Sequence, residues 1–135
     1  MSLRQVACPV ALHPHGAPLR LPVFAHPLAG LQLVKGGIRA GEHPPAAAAR
    51  ELFEESGLET RAAIAIGQAE DIQDGAVWQF SLCRIAPPVR AQWANLCADD
   101  GGHLLRFHWH ALDAADPAEM DPMYCRALAW IRSAL

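Results

Sequence analysis

Residues 36–58 read GGIRAGEHPPAAAARELFEESGL, a glycine-rich loop followed by a run of strong helix formers. Pro44 and Pro45 suit the first turn of a helix, because the N–H group that proline lacks would have no partner there. Gly57 stands where a residue of left-handed conformation commonly ends a helix. We therefore predict a helix over residues 46–56, with the two prolines in its first turn and a loop over residues 36–43 before it.

Three carboxylates project from one face of the predicted helix. Glu51, Glu54 and Glu55 have the i, i+3, i+4 spacing that brings side chains together. Their like charges repel unless solvent, Arg50 or a cation offsets them, and the negative C-terminal half of a helix favours a cation. Carboxylate oxygens without Cys or His beside them suit a hard ion, Mg²⁺ before Zn²⁺.

The three glutamates could instead form a solvated helix face without a bound ion, because glutamate clusters on helices are commonly solvated. The preceding loop favours a site instead, since its three glycines let the backbone pass close to a metal or a phosphate. Arg50 could hold Glu54, one turn on, or Glu42, across the loop, in a fixed orientation. On a different face of the helix we expect four side chains to pack on a sheet: Ala46, Ala49, Leu52 and Phe53.

This stretch resembles the signature of the Nudix hydrolase family, G-x5-E-x7-R-E-U-x-E-E-x-G-U, in which U is a bulky aliphatic residue. Gly36 is followed at the required interval by Glu42, and the segment from Arg50 to Leu58 fills every remaining fixed position. A match that includes two fixed gaps is far more specific than a single glycine motif. The flanking segments 24–32 and 109–113 also look like strands of this family.

The resemblance implies a fold and an activity. The fold is of the α/β (α+β) class, with a mixed β-sheet sandwiched between helices as an α/β/α sandwich. The activity is the hydrolysis of a nucleoside diphosphate linked to another moiety X, with Mg²⁺ or Mn²⁺ as the cofactor. Metal ions of this kind neutralise phosphate charge and lower the pKa of a bound water.

The resemblance also implies roles for individual residues. The implied metal ligands and catalytic carboxylates are Glu51, Glu54 and Glu55, with the Gly36 carbonyl as a further metal ligand. Glu42 and Arg50 would form a structural ion pair that steadies the loop and orients the helix carboxylates. Family members differ in their general base, which is a signature glutamate in some and an acid on a later loop in others. Asp100 is our candidate for such a loop acid, with Asp99, Glu70, Asp71 and Asp74 as alternatives.

The rest of the chain predicts strands and one more helix. Asp121 and Pro122 suit the cap and first residue of a final helix. Its expected buried stripe is Met123, Ala127, Trp130, Ile131 and Ala134. Between Pro87 and Gly102 we expect an irregular segment. Short apolar or alternating runs predict strands over residues 6–12, 19–26, 31–34, 61–67, 76–85 and 103–111.

Composition limits the classes of function. The 135 residues are 52% hydrophobic, which is enough for one domain over residues 1–135 with its own core. A net charge of −3 and a single lysine, Lys35, argue against a nucleic-acid binder and a polybasic membrane anchor. The four cysteines are scattered, and no signal peptide or membrane span is apparent. We therefore expect a cytoplasmic protein. Of the substrates that the resemblance implies, the charge favours a small nucleotide over RNA.

Weaker expectations concern the substrate and assembly. Lys35, Trp78 and Trp93 are candidate substrate-binding residues, although alternating aromatic side chains such as Trp78 are more often part of a core. A nucleotide-sensing module without turnover, non-hydrolytic chemistry on a diphosphate, and RNA 5′-pyrophosphohydrolase activity are the alternatives. The segments that mark several substrate branches of the family are missing, so the substrate stays open. A homodimer is a possible assembly.

Overall fold

The computed structural model describes residues 2–98 and 101–135, which form eight strands and two helices. In chain order they are β1 (Arg4–Ala11), β2 (Arg20–His26), β3 (Gly30–Leu33), β4 (Gly36–Gly37), α1 (Pro44–Ser56), β5 (Thr60–Ala69), β6 (Ala76–Ile85), β7 (Gln92–Cys97), β8 (His103–Ala111) and α2 (Pro122–Ala134). No helix in these ranges is long and apolar enough to cross a membrane.

The strands form two four-stranded sheets. The first has the order β4-β1-β6-β5 and is mixed, because β1 runs parallel to β6 while the other pairs are antiparallel. The second has the order β3-β2-β8-β7 and is antiparallel throughout. The predicted fold class is confirmed, and the structure adds that the strands are divided between two sheets.

Each helix covers its own core, and both cores include residues of both sheets. Alternation along β1 directs Val6 and Val10 toward α2 and Ala7 and Ala11 toward α1. On the α2 side, Trp78 and Phe80 of β6 pack with the helix. On the α1 side, the core includes Phe24, Leu105 and Phe107 of the second sheet. The first sheet therefore lies between the two helices, as the α/β/α expectation requires.

The α1 helix begins and ends as predicted but buries a different face. His43 precedes Pro44 in an extended conformation, and Gly57 ends the helix with φ of 78°, donating its N–H to the Phe53 carbonyl. The buried residues are Ala47, Ala48, Glu51, Leu52 and Ser56. Leu52 was predicted correctly, but the assignment of Ala46 and Phe53 to the packed face was wrong, because both are exposed. The buried face is rotated so that it includes the carboxylate of Glu51.

The α2 helix shows a smaller difference. The Asp121 side chain accepts a hydrogen bond from the Met123 N–H at 2.9 Å, so the predicted cap is present. The buried stripe is Tyr124, Ala127, Leu128 and Ile131. Met123 and Trp130 are half-buried and pack against the core on the α2 side, so they lie on the predicted side. The prediction was wrong for Ala134, which is exposed, and it missed Tyr124 and Leu128.

The segment predicted to be irregular contains strand β7. Its inward positions are Trp93, Asn95 and Cys97. Because Asn95 is polar, the alternation of apolar residues that identifies a strand is weak here, and the prediction of an irregular segment was wrong for residues 92–97. The Asn95 side chain is used for a contact with α1 instead.

Candidate functional site

Arg50 connects the loop before α1 to the carboxylates on the helix. Its Nε and Nη2 donate to the two oxygens of Glu42 at 2.8 and 2.9 Å, a bidentate pair. Its Nη2 also donates to the Gly37 carbonyl at 2.9 Å. Its Nη1 donates to Glu51 at 2.7 Å and to Glu54 at 3.3 Å. One guanidinium therefore fixes the loop and two of the three helix glutamates.

These contacts shift the pKa values of both partners in the pair. Hydrogen bonds from the Arg50 side chain and, to a lesser extent, from the Arg39 backbone lower the pKa of Glu42 to about 2. The hydrogen bond to Glu42, helped by Glu51, raises the pKa of Arg50 above its usual value. Both groups are charged at neutral pH, so the structure contains the ion pair that the signature implies.

Glu51 lies against Gly36. Glu51 is only 8% exposed, and a Cβ atom added to Gly36 would overlap its carboxylate. A side chain at position 36 would therefore displace the carboxylate, whereas a Cβ added to Gly37 would meet open space. The glycine at position 36 is required for this close approach.

Strand β7 holds the C-terminal end of α1. The Asn95 amide donates to the carbonyl of Glu55 at 2.9 Å and more weakly to that of Glu54 at 3.4 Å. The Trp93 indole donates to the carbonyl of Ser56 at 2.9 Å. These bonds satisfy carbonyls that have no partner within the helix and fix the end that carries the glutamates.

A cleft of about 490 Å³ lies beside the helix carboxylates. One side is formed by residues of the signature, and the other by the second sheet and α2. Its lining residues are Phe24, His26, Ala29, Gln32, Lys35, Gly36, Gly37, Glu51, Glu55, Cys97, His103, Leu105 and Tyr124. A cleft of this size can hold a small-molecule ligand.

The predicted site residues are placed in different surroundings. Gly36, Glu51, Glu55 and Lys35 line the cleft together. Glu54 does not line it, because its carboxylate is directed toward Arg50 and lies 3.6 Å from Arg39.

The two predicted tryptophans do not line the cleft. Trp78 is fully buried beside Phe80 and Tyr124, and its indole donates to Gln73 at 3.1 Å. The assignment of Trp78 to substrate binding is therefore wrong. Trp93 stacks on Phe107 with ring centroids 5.1 Å apart and packs on the end of α1. Asp100, our candidate general base, lies outside the described residues.

Sequence reasoning missed four polar residues of the cleft, which are His26, Gln32, His103 and Tyr124. Alternation could have located two of them, because His26 is in phase with Phe24 on β2 and His103 is in phase with Leu105 on β8. Burial raises the pKa of the Tyr124 phenol, and the negative charge of Glu55 raises it further. Tyr124 therefore stays protonated at neutral pH and can donate a hydrogen bond within the cleft.

The residues that line the cleft fit a hard divalent cation. Glu51 and Glu55 supply carboxylate oxygens, and the absence of a side chain at Gly36 leaves room for the Glu51 carboxylate beside it. Mg²⁺ commonly binds through one or two carboxylates, substrate phosphates and water, so a pair of carboxylates is sufficient. Within residues 2–98 and 101–135, no three His, Cys, Asp or Glu side chains converge as a preformed metal cluster.

The comparisons with known proteins agree with the fold and the signature. The NUDIX domain model matches residues 17–131. No curated protein gives a significant sequence match. The chain therefore belongs to the NUDIX domain family, and this membership supports a hydrolase that acts on phosphorus-containing anhydrides.

Three solved structures have a similar fold. A protein assigned to the nudix hydrolase family from Chromobacterium violaceum is 18% identical with a TM-score of 0.65, over 98% of this chain and 78% of that one. A MutT NUDIX hydrolase from Burkholderia pseudomallei is 19% identical with a TM-score of 0.59, over 93% and 95% of the chains. A MutT structure from a study of Aliivibrio salmonicida and Vibrio cholerae is 16% identical with a TM-score of 0.60, over 94% and 98%.

Proposed function

We propose that this protein is a Mg²⁺-dependent pyrophosphohydrolase that cleaves the diphosphate linkage of a small nucleoside diphosphate derivative. The observation that carries this proposal is that Glu51, Glu55 and Gly36 line one cleft, and that Arg50, paired with Glu42, holds the Glu51 carboxylate in place. A diphosphate is strongly anionic, and the net charge of the chain is −3, so a cation has to accompany the substrate. Mn²⁺ would satisfy the same oxygen ligands.

In this proposal the protein mainly positions charged groups. Bound Mg²⁺ supplies Lewis-acid stabilisation of the phosphate oxygens and lowers the pKa of a water. Glu51 and Glu55 hold the ion, while Glu54 stays within reach of Arg50 as a further acid of the implied ligand set. Arg50 acts as a positioning residue, because it fixes Glu51 and the loop at Gly37 without lining the cleft.

Lys35 and the general base complete the proposed mechanism. Lys35 lines the cleft next to Gly36, where an ammonium group can contact a phosphate oxygen. Positioning and electrostatic stabilisation contribute most of the rate enhancement in phosphoryl transfer. We assign proton abstraction from the water to Glu55 or to Asp100, and the pH–rate profiles of Glu55→Gln and Asp100→Asn would separate these two assignments.

The remaining expectations about the chain are part of the same proposal. We expect one domain over residues 1–135, a cytoplasmic location and a possible homodimer. The net charge of −3 and the single lysine make RNA a less suitable substrate than a small nucleotide.

A substrate panel tests the proposal directly. Purified protein is incubated with nucleoside triphosphates, dinucleoside polyphosphates, nucleotide sugars and 5′-triphosphorylated RNA, each with Mg²⁺, Mn²⁺ or a chelator. Release of a mononucleotide or phosphate from a small nucleotide, abolished by the chelator, is the expected result. Nucleotide binding without release of any product would favour the sensing module instead, and release from RNA alone would favour the RNA pyrophosphohydrolase.

A further inference from the structure

The polar wall of the cleft continues an apolar face of the second sheet. Phe24 on β2 packs beside Phe107 on β8, with ring centroids 5.1 Å apart, in the core under α1. Beyond this core on the same face, His26 follows Phe24 by two residues, and His103 precedes Leu105, another residue of this core, by two residues. Both histidines line the cleft. Two imidazoles, rather than apolar side chains, therefore occupy the positions of this face that border the cleft.

The two histidines form a preorganised pair. Their ring centroids lie 4.7 Å apart at an interplanar angle of 53°. The N–H of Leu28 donates to the Nδ1 of His26 at 3.0 Å, so Nδ1 carries a lone pair and the ring proton of the neutral tautomer is on Nε2. His26 is thus held in one orientation as a flat surface with one N–H donor.

The composition of this wall favours a planar ligand over a second anion site. Among the described residues that line the cleft, Lys35 is the one formal cation, and it adjoins the signature rather than the histidine pair in sequence. Gln32, opposite Phe24 in the β2–β3 register, adds an amide that can both donate and accept. Aromatic faces with nearby amide and N–H groups suit a heterocycle that carries acceptors and donors at its edge.

We propose that His26 and His103 form the subsite for the heterocyclic base of the substrate, with Gln32 at its edge. The inference rests on the proposed function only for the orientation of the ligand, whose phosphates would lie toward Glu51 and Glu55. Stacking on aromatic side chains tolerates different bases, so the pair provides affinity for a base rather than discrimination among bases.

Equilibrium binding tests this subsite without requiring turnover. The probes are AMP, GMP, CMP and UMP against ribose 5-phosphate, which has the same phosphate and sugar but no base, all with Mg²⁺ present. We expect the wild-type protein to bind at least one mononucleotide more tightly than ribose 5-phosphate. His103→Ala should weaken that mononucleotide by about 5- to 100-fold and leave ribose 5-phosphate unchanged.

Two further variants make the test specific. His103→Phe keeps an aromatic face and should retain most of the mononucleotide affinity, whether or not the alanine variant folds well. His15→Ala is the matched control, because His15 is exposed and does not line the cleft, and it should bind like the wild type.

Several outcomes would overturn the inference. One is equal wild-type affinity for ribose 5-phosphate and every mononucleotide, and another is no binding of any mononucleotide. A loss of ribose 5-phosphate binding in both His103→Ala and His103→Phe would identify an anion site instead. If the substrate panel shows no hydrolysis but base-dependent binding needs an aromatic residue at position 103, the subsite stands and the proposed hydrolysis fails. If hydrolysis occurs and His103→Ala binds mononucleotides normally, only the subsite fails.

Discussion

The two helices have the same length and begin in the same way, yet they bury different kinds of residue. Both contain 13 residues, and both place proline in the first turn after an extended residue. In α2 the side chain of the N-cap residue, Asp121, accepts a hydrogen bond from the first turn, and the buried stripe is apolar apart from the hydroxyl of Tyr124. In α1 no side chain caps the helix, Glu51 is buried and Phe53 is 54% exposed.

This difference shows that α1, and not α2, accommodates the requirements of the candidate site. Burying a carboxylate costs free energy unless a charge and hydrogen bonds compensate it. At Glu51 the compensation comes from Arg50, and the space comes from Gly36. We conclude that α2 packs through an apolar stripe, whereas α1 packs through Ala47, Ala48 and Leu52 and also accommodates a buried carboxylate.

The largest expected effect is that of Glu55→Gln on turnover. The substitution keeps the shape of the side chain but removes a negative charge from the cleft, so we expect kcat to fall roughly 1000-fold, or about 4 kcal/mol. Thermal unfolding should change little, because Glu55 is only half-buried. Glu59→Gln, an exposed carboxylate four residues on, is the control and should keep its activity. Normal turnover by Glu55→Gln would remove Glu55 from the proposed metal site.

The packing role of α2 predicts the next effect. Leu128 is fully buried, and Leu128→Ala should lower the free energy of unfolding by about 2–5 kcal/mol. Phe53→Ala removes a larger side chain from α1 but should lower the free energy of unfolding by only about 1 kcal/mol, because about half of the residue is already in solvent. Denaturant unfolding of both variants measures the difference. Similar losses in the two would mean that the helices do not differ as described.

A smaller loss is expected from Gly36→Ala. The added Cβ displaces the carboxylate of Glu51, and a displacement of about 1 Å can cost roughly 100-fold in rate. Gly37→Ala is the matched control, since its Cβ meets open space, and steady-state kinetics of the two should differ clearly. Equal activity of the two variants would show that the contact between Gly36 and Glu51 has no role in catalysis.

The smallest effect concerns acid stability. The pKa of Glu42 is lowered to about 2 from 4.5, so its charged form stabilises the folded protein fully above about pH 4.5. That contribution disappears as the pH falls from about 4.5 toward 2. The Tm difference between the wild type and Glu42→Gln should therefore shrink over this range, as measured by thermal melts at several pH values. A difference that stays constant with pH would contradict the lowered pKa.

The sequence was sufficient for the features that depend on local rules. Pro44, Gly57 and Asp121 mark the helix ends through backbone geometry and capping, and the structure has the ends where these residues predict them. The contact between Glu42 and Arg50, which the resemblance to the Nudix signature implies, is also present.

What could not be predicted depends on neighbours that are distant in sequence. Phe53 has the residue type of a core position, but the face of α1 that packs on the sheet contains Leu52 and Glu51, and Glu51 is accommodated by Arg50 and Gly36. Strand β7 was missed because Asn95 interrupts its pattern to bond with carbonyls about 40 residues earlier. The cleft combines residues of both sheets and α2. The sequence alone therefore does not show that its two histidines lie together, because this depends on how the strands pair.

Strand β7 also links the two walls of the cleft. Asn95 fixes the helix end that carries Glu55, and two residues on, Cys97 pairs with His103. The span between the carboxylates and the histidine pair is therefore set by one short strand of fixed rise per residue. A one-residue insertion within Gln92–Cys97 would move one wall relative to the other and reverse the inward positions beyond it. The length of ligand that the cleft accepts can therefore change through substitution of its lining side chains, but hardly through a change in the length of this strand.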